Sequence, residues 1–300
     1  MLLKGSYTAL ITPFKNGEVD FDGLIKLINY QLANNIDGLL VLGTTGETPT
    51  LTQEEQIEII KVSKKTINGK VPLMVGTGAY STYKTIENTR IAKELGADIA
   101  LIVTPYYNKP TDEGLYRHFL EVSSNVDIPI VVYNIQSRTG KNIDTPVLKR
   151  IAQLKNIIGV KEASGNINQM MDVIQSIVSS KPDFSVMCGD DALTLPLISV
   201  GGLGVISVVS NIVPQRVVKM VNSALNGDFN LARKIHYEIL PLIKGIFIET
   251  NPIPIKTAMN MLGMPSGEVR LPLCEMQEYN RNKLKSILDS MNLFEIKEVI

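Results

Sequence analysis

Tryptophan is absent, and cysteine and histidine occur only twice each in 300 residues. Cys188 and Cys274 lie far apart, as do His118 and His236, and none belongs to a CxxC or similar ligand spacing. A disulfide framework and a zinc-type site are therefore excluded, and the two thiols fit a reducing compartment. Net charge is missing too: 30 Lys and Arg balance 30 Asp and Glu, with no basic run. Nucleic acid and anionic membranes thus have no electrostatic footprint here. No apolar run suits a bilayer. The longest uncharged stretch, 192–215, is broken by Pro196, Gly201, Gly202, Gly204 and Pro214, and reads as helix, loop, strand and helix start. The N-terminal apolar run is interrupted by Lys4, Gly5 and Pro13 and lacks a small-residue cleavage site. The expected location is cytoplasmic.

What is present is an ordinary globular composition, 44% hydrophobic and 20% charged, in a length that fits two domains or one large barrel. Eight short apolar runs recur along the chain, at 6–10, 38–43, 71–78, 98–106, 128–135, 156–163, 184–189 and 204–209. They are nearly continuous in hydrophobicity, as parallel strands covered on both faces should be. Helical patterns separate them. Thr52 and Glu55 fit a capping box, and the helix after Ser81 stops at Gly96. Thr145-Pro146 places proline at a first helical position, and 215–226 closes at Gly227. Eight βα units in order predict an α/β fold, a (β/α)8 TIM barrel, over residues 1–227. Beyond Gly227 the strand signal ends. The segments 229–245, 254–263 and 276–293 read as helices of a C-terminal helical extension, residues 228–300, packed on the barrel.

Reactive groups in such a barrel belong at the C-terminal ends of strands. That rule selects Thr44, Thr45, Tyr106, Tyr107, Tyr133 and Lys161. Lys161 ends an apolar run and shares a face with the small residues Gly159 and Ala163. It points either into the barrel or toward the helices. A buried ammonium is costly, so a lysine placed inward becomes a neutral nucleophile able to form a Schiff base with a carbonyl. Otherwise it reaches solvent or pairs with Glu162. Tyr133, one strand away, is either a proton relay or a packed tyrosine with a satisfied hydroxyl. Thr44-Thr45-Gly46 is a turn suited to a carboxylate, and Arg138 to a second one. GGLG (201–204) reads as a tight turn. Asp190 and Asp191 read as caps of the helix beginning near Ala192, with no third ligand for a metal. His118 reads as structural.

GTTGE (43–47), TPYYNKP (104–110), YNIQSRTG (133–140), GVKEASG (159–165), GDD (189–191), GGLGVISV (201–208) and NPIPIK (251–256) resemble the dihydrodipicolinate synthase family, in order and along nearly the whole chain. The resemblance implies condensation of pyruvate with L-aspartate 4-semialdehyde in the diaminopimelate and lysine pathway, without metal or organic cofactor. It implies that Lys161 forms the pyruvate Schiff base and that Tyr133, Thr44 and Tyr107 relay protons, Tyr107 reaching a neighbouring subunit's site. Thr45 and Ile206 match pyruvate-binding positions, Gly189 a wall position, and Arg138 the position that holds the semialdehyde carboxylate. A homotetramer, a dimer of dimers, is implied as well. A sister aldolase cleaving N-acetylneuraminate or a 2-keto-3-deoxy sugar acid would share Lys161 and Tyr133. Thr44-Thr45 and Arg138 favour the synthase. A non-catalytic barrel binding a small carboxylate is the reading from another class, and candidates in every catalytic role argue against it. Two departures stand out. Gln136 replaces the usual proline of the fifth-strand motif, which would loosen the loop presenting Arg138. At the positions where lysine-inhibited members bind lysine, this chain has Pro49, Gln53, Gln56, Tyr80 and Lys84. A cationic Lys84 would repel lysine, so feedback inhibition is expected to be weak or absent.

Overall fold

The apolar runs become strands whose side chains alternate between two interiors, as the two-residue period of a strand requires. The structure is a computed structural model that describes residues 2–295. The first strand is β1 (Gly5–Ala9), followed by a short antiparallel hairpin of β2 (Phe14–Lys15) and β3 (Glu18–Val19). Seven further strands follow: β4 (Gly38–Val41), β5 (Leu73–Gly76), β6 (Ile99–Val103), β7 (Ile130–Asn134), β8 (Ile157–Glu162), β9 (Ser185–Cys188) and β10 (Gly204–Ser207). Each pairs in parallel with its sequence neighbour, and β10 closes on β1. The eight expected runs are the eight barrel strands, and the barrel reading is borne out. The hairpin was not expected, because its two-residue strands are too short to leave a periodic pattern.

One side of every barrel strand packs in the lumen. Tyr7, Leu40, Met74, Leu101, Val131, Tyr133, Met187 and Ile206 form that inner cluster. The opposite side, for example Leu39, Val75, Ile102, Val132 and Val160, packs under the surrounding helices. These are α1 (Phe21–Ala33), α2 (Gln53–Ile67), α3 (Thr82–Glu94), α4 (Asp112–Asn125), the single turn α5 (Gln136–Thr139), α6 (Thr145–Ala152), α7 (Ile167–Val173), α8 (Thr194–Ser199) and α9 (Pro214–Leu225). Thr52 and Glu55 form the anticipated capping box at α2, and Gly96 follows α3 with a φ of +88°.

The register between β7 and β8 slips by one residue. Ile130 pairs with Ile157, but Val131 pairs with Gly159, leaving Ile158 as a bulge. The extra residue puts Ile157 outside while Ile158 packs against the lumen. From Gly159 onward the alternation resumes with Lys161 facing inward. Past α9 come α10 (Phe229–Gly245), α11 (Ile253–Met261) and α12 (Glu278–Ser290). Of the segment anticipated at 228–300, residues 296–300 lie outside the described residues. α10 packs on α9, and α12 packs on α10 and α11. No helix among the described residues is long and apolar enough to cross a membrane.

Candidate active site

Tyr133 and Lys161 are direct cross-strand partners on β7 and β8, and each is 5% exposed. The Lys161 Nζ lies 4.3 Å from the centroid of the Tyr133 ring. Burial pulls the Lys161 pKa down from 10.5 to about 8, and Arg138 adds to the lowering; the Asp191 carboxylate acts against it. Burial pushes the Tyr133 phenol up to about 12, while Arg138 and the Thr44 side chain pull it down. At neutral pH Tyr133 is therefore a proton carrier and not a phenolate. The alternative in which Lys161 pairs with Glu162 is not realised. Glu162 points to the opposite face, where its carboxylate accepts from Asn134 Nδ2 at 3.2 Å and from the Ser164 amide at 2.8 Å.

Gly189 forms the wall beside the lysine. A Cβ there would stand 3.1 Å from Lys161 Cγ and Cε and 2.7 Å from Ala163 Cβ, so glycine alone leaves the lysine stem its channel. Ile206, on β10 opposite Tyr7 of β1, belongs to the same inner cluster as Tyr133. Asp190 caps as anticipated, accepting from the Ala192 amide at 2.9 Å. Asp191 does not. Its buried carboxylate turns across the barrel top and accepts from the amides of Val208 at 2.9 Å and Val209 at 3.2 Å. Those amides follow β10 and have no strand partner of their own, so Asp191 is drawn to them and not to its own helix.

Thr44, Thr45 and Gly46 form a tight turn after β4. The Gly46 amide donates to Gly43 O at 3.0 Å, and the Thr12 hydroxyl donates to Gly46 O at 2.7 Å. Glu47 ends the turn in the left-handed region, φ +53°. Its carboxylate is buried against Lys256 of α11, with Oε1 and Nζ 2.7 Å apart, and Oε2 accepts from the Arg270 amide at 3.0 Å. Thr45 Oγ1 accepts from Asn251 Nδ2 at 3.0 Å. Arg138, on α5, donates from Nη2 to the Asn251 carbonyl at 3.0 Å. Gln136 is the first residue of α5. Gln136 O accepts from the Gly140 amide at 2.8 Å, and Thr139 Oγ1 donates to Ile135 O at 3.0 Å, closing the turn.

Thr44, Tyr133 and Arg138 line one cavity of about 390 Å³, which extends to Pro49, Gln56, Tyr80 and Lys84. Gln53 does not line it. Lys84 Nζ lies 3.5 Å from Glu87 of its own helix. Lys161, Thr45, Gly189 and Ile206 do not line the cavity and join the site through the contacts above, whereas Tyr107 makes none of those contacts. Its side chain is 91% exposed and its φ is +69°. His118 is buried in α4 with Nδ1 2.9 Å from the Thr82 hydroxyl, away from these groups. Asn251, Lys256, Glu47 and Asp191 lie in motifs already visible in the sequence, NPIPIK, GTTGE and GDD, but no local pattern told what they touch.

The sequence profile of the dihydrodipicolinate synthetase family matches residues 2–291. The chain is 56% identical over 292 residues to the 4-hydroxy-tetrahydrodipicolinate synthase of Protochlamydia amoebophila, covering 97% of each. Its structure is similar to that of dihydrodipicolinate synthase from Thermotoga maritima, with a TM-score of 0.96 and 42% identity over 98% of this chain and all of that one. The chloride-inhibited dihydrodipicolinate synthase of Acinetobacter baumannii, solved in complex with pyruvate, matches with a TM-score of 0.93 and 37% identity over 97% of this chain and 99% of that one.

Proposed function

The chain belongs to the dihydrodipicolinate synthetase family, and on that premise we propose that Lys161 is the amine on which its chemistry runs. The activity is that of a 4-hydroxy-tetrahydrodipicolinate synthase, a lyase that condenses pyruvate with L-aspartate 4-semialdehyde on the route to diaminopimelate and lysine. The observation that carries the reading is the buried amine in register with a buried phenol, 4.3 Å from its ring.

Neutral Lys161 adds to the ketone carbon of pyruvate, and Tyr133 passes protons so that the carbinolamine oxygen leaves as water. Loss of a methyl proton turns the imine into an enamine, whose carbon attacks the aldehyde of the second substrate. The amino group of that substrate then displaces Lys161 from the imine carbon, closing the ring and freeing the enzyme. The net balance is two substrates in, one cyclic product and one water out. Thr44 and Tyr107 extend the proton path, and the Thr44 neighbour already acts on the Tyr133 phenol. Thr45 and Ile206 hold pyruvate, Gly189 keeps the lysine channel open, and Arg138 in the cavity lining holds the semialdehyde carboxylate, which a guanidinium fork fits.

Tyr107, unused in its own subunit and exposed, serves the site of a second copy, and the working assembly is a homotetramer made as a dimer of dimers. The barrel comprises residues 1–227 and the extension 228–300, and the enzyme works in the cytoplasm. Lysine inhibits weakly or not at all, since Lys84 sits in the cavity where a cationic effector would lie. A coupled assay on the purified enzyme tests the reading. Turnover of pyruvate with aspartate semialdehyde is expected, with no cleavage of N-acetylneuraminate. The opposite pattern would assign the chain to a sister aldolase.

A further inference from the structure

Asn251 lies between α10 and α11, outside the barrel strands, and is 5% exposed. It holds two substrate-binding groups at once. Its carbonyl accepts from Arg138 Nη2, and its side-chain Nδ2 donates to Thr45 Oγ1, each at 3.0 Å. Its Oδ1 is buried with no hydrogen-bond partner among the described residues. The direction of the Thr45 bond has a chemical consequence. A hydroxyl carries one proton, and a carboxylate only accepts. An oxygen that receives an N–H from Asn251 keeps its own proton to give away.

We infer that Asn251 is a positioning residue for the 2-oxo acid: it sets Thr45 as a donor toward the substrate carboxylate and anchors Arg138 in the cavity lining. The inference rests on the reading of Thr45 as a pyruvate-binding position. Replacing the amide by an ionised carboxylate of the same shape leaves only acceptors. The Thr45 proton then turns toward residue 251 and is lost to the substrate. A protonated carboxyl group can donate again, so the defect depends on pH.

The test compares Asn251→Asp with Thr45→Val and the unaltered enzyme in steady-state kinetics between pH 5.5 and 8.5. For Asn251→Asp, KM for pyruvate is expected to rise about tenfold or more at pH 8, with kcat changed far less. The ratio to the unaltered enzyme should narrow as pH falls. Asn251→Ala, which neither donates nor carries charge, should raise KM for pyruvate less and without pH dependence. It also serves if the aspartate variant does not fold. Thr45→Val raising KM for pyruvate while Asn251→Asp and Asn251→Ala leave it unchanged would overturn the inference alone. So would an Asn251→Asp defect that is the same at every pH, which marks a merely structural role. An unchanged KM for pyruvate in Thr45→Val would instead overturn the reading of Thr45 itself, and the inference with it.

Discussion

A lysine with a pKa of about 8 is in a different chemical state from one at 10.5. At pH 7.5 the neutral fraction moves from about one in a thousand to about one in four. kcat/KM for pyruvate should therefore climb with pH and level off above an apparent pKa near 8. A flat profile from pH 6.5 to 9 would count against Lys161 as the nucleophile. The same group affects folding. Its pKa in the folded chain lies below the unfolded value, so its ammonium opposes folding below about pH 8, and that cost disappears as the pH passes 10.5. Lys161→Met should melt at a higher temperature than the unaltered enzyme at pH 7, by up to about 3 kcal/mol of stability, with the gap closing toward pH 10. Gly189→Ala acts on the same atoms from the side. With a Cβ 2.7 Å from Ala163 Cβ and 3.1 Å from Lys161 Cγ and Cε, the wall must shift and the lysine stem give way, and a loss of about ten- to a hundredfold in kcat/KM is expected in a folded protein. Circular dichroism and steady-state kinetics together check it.

At the scale of elements, the turn after β4 is held from outside the barrel. Glu47 and Lys256 have side chains 0% and 2% exposed and are paired at 2.7 Å, and Thr12 O also accepts from Lys256 Nζ at 3.0 Å. Lys256→Met strands a buried carboxylate and should cost about 3–5 kcal/mol of stability in urea unfolding, while Glu47→Gln combined with Lys256→Met should recover part of it. Equal losses in the single and double variants would contradict the pairing. The barrel strands and the longer helices were readable because periodic apolar patterns report local structure directly. The inward aim of Lys161 was not, since it follows from the one-residue slip at Ile158, and an apolar run looks the same in either register. Asn251 touching Thr45 across 206 residues, or Asp191 reaching the amides after β10, leaves no periodic trace at all. The GDD pair shows the limit well. Equal residues side by side read as equal caps, yet alternate backbone directions sent one to its helix and the other across the barrel.

For the molecule as a whole, the segment after α9 is tied to the C-terminal end of the barrel: Asn251, Lys256 and Arg270 join the β4 turn and the Arg138 loop to it. Tyr107 is exposed on the surface. If a second copy uses it, two inactive variants should rescue each other. Lys161→Ala and Tyr107→Phe, refolded together or co-expressed, would give mixed dimers in which one of two sites has both residues intact. Recovery of activity above that of either variant alone is expected, and none would mean that Tyr107 does not act between subunits. The most direct measurement remains chemical. Reduction of the enzyme with borohydride in the presence of pyruvate, followed by peptide mapping, should place a single reduced pyruvyl adduct on Lys161. An adduct on another residue, or full synthase turnover by Lys161→Ala, would contradict the account.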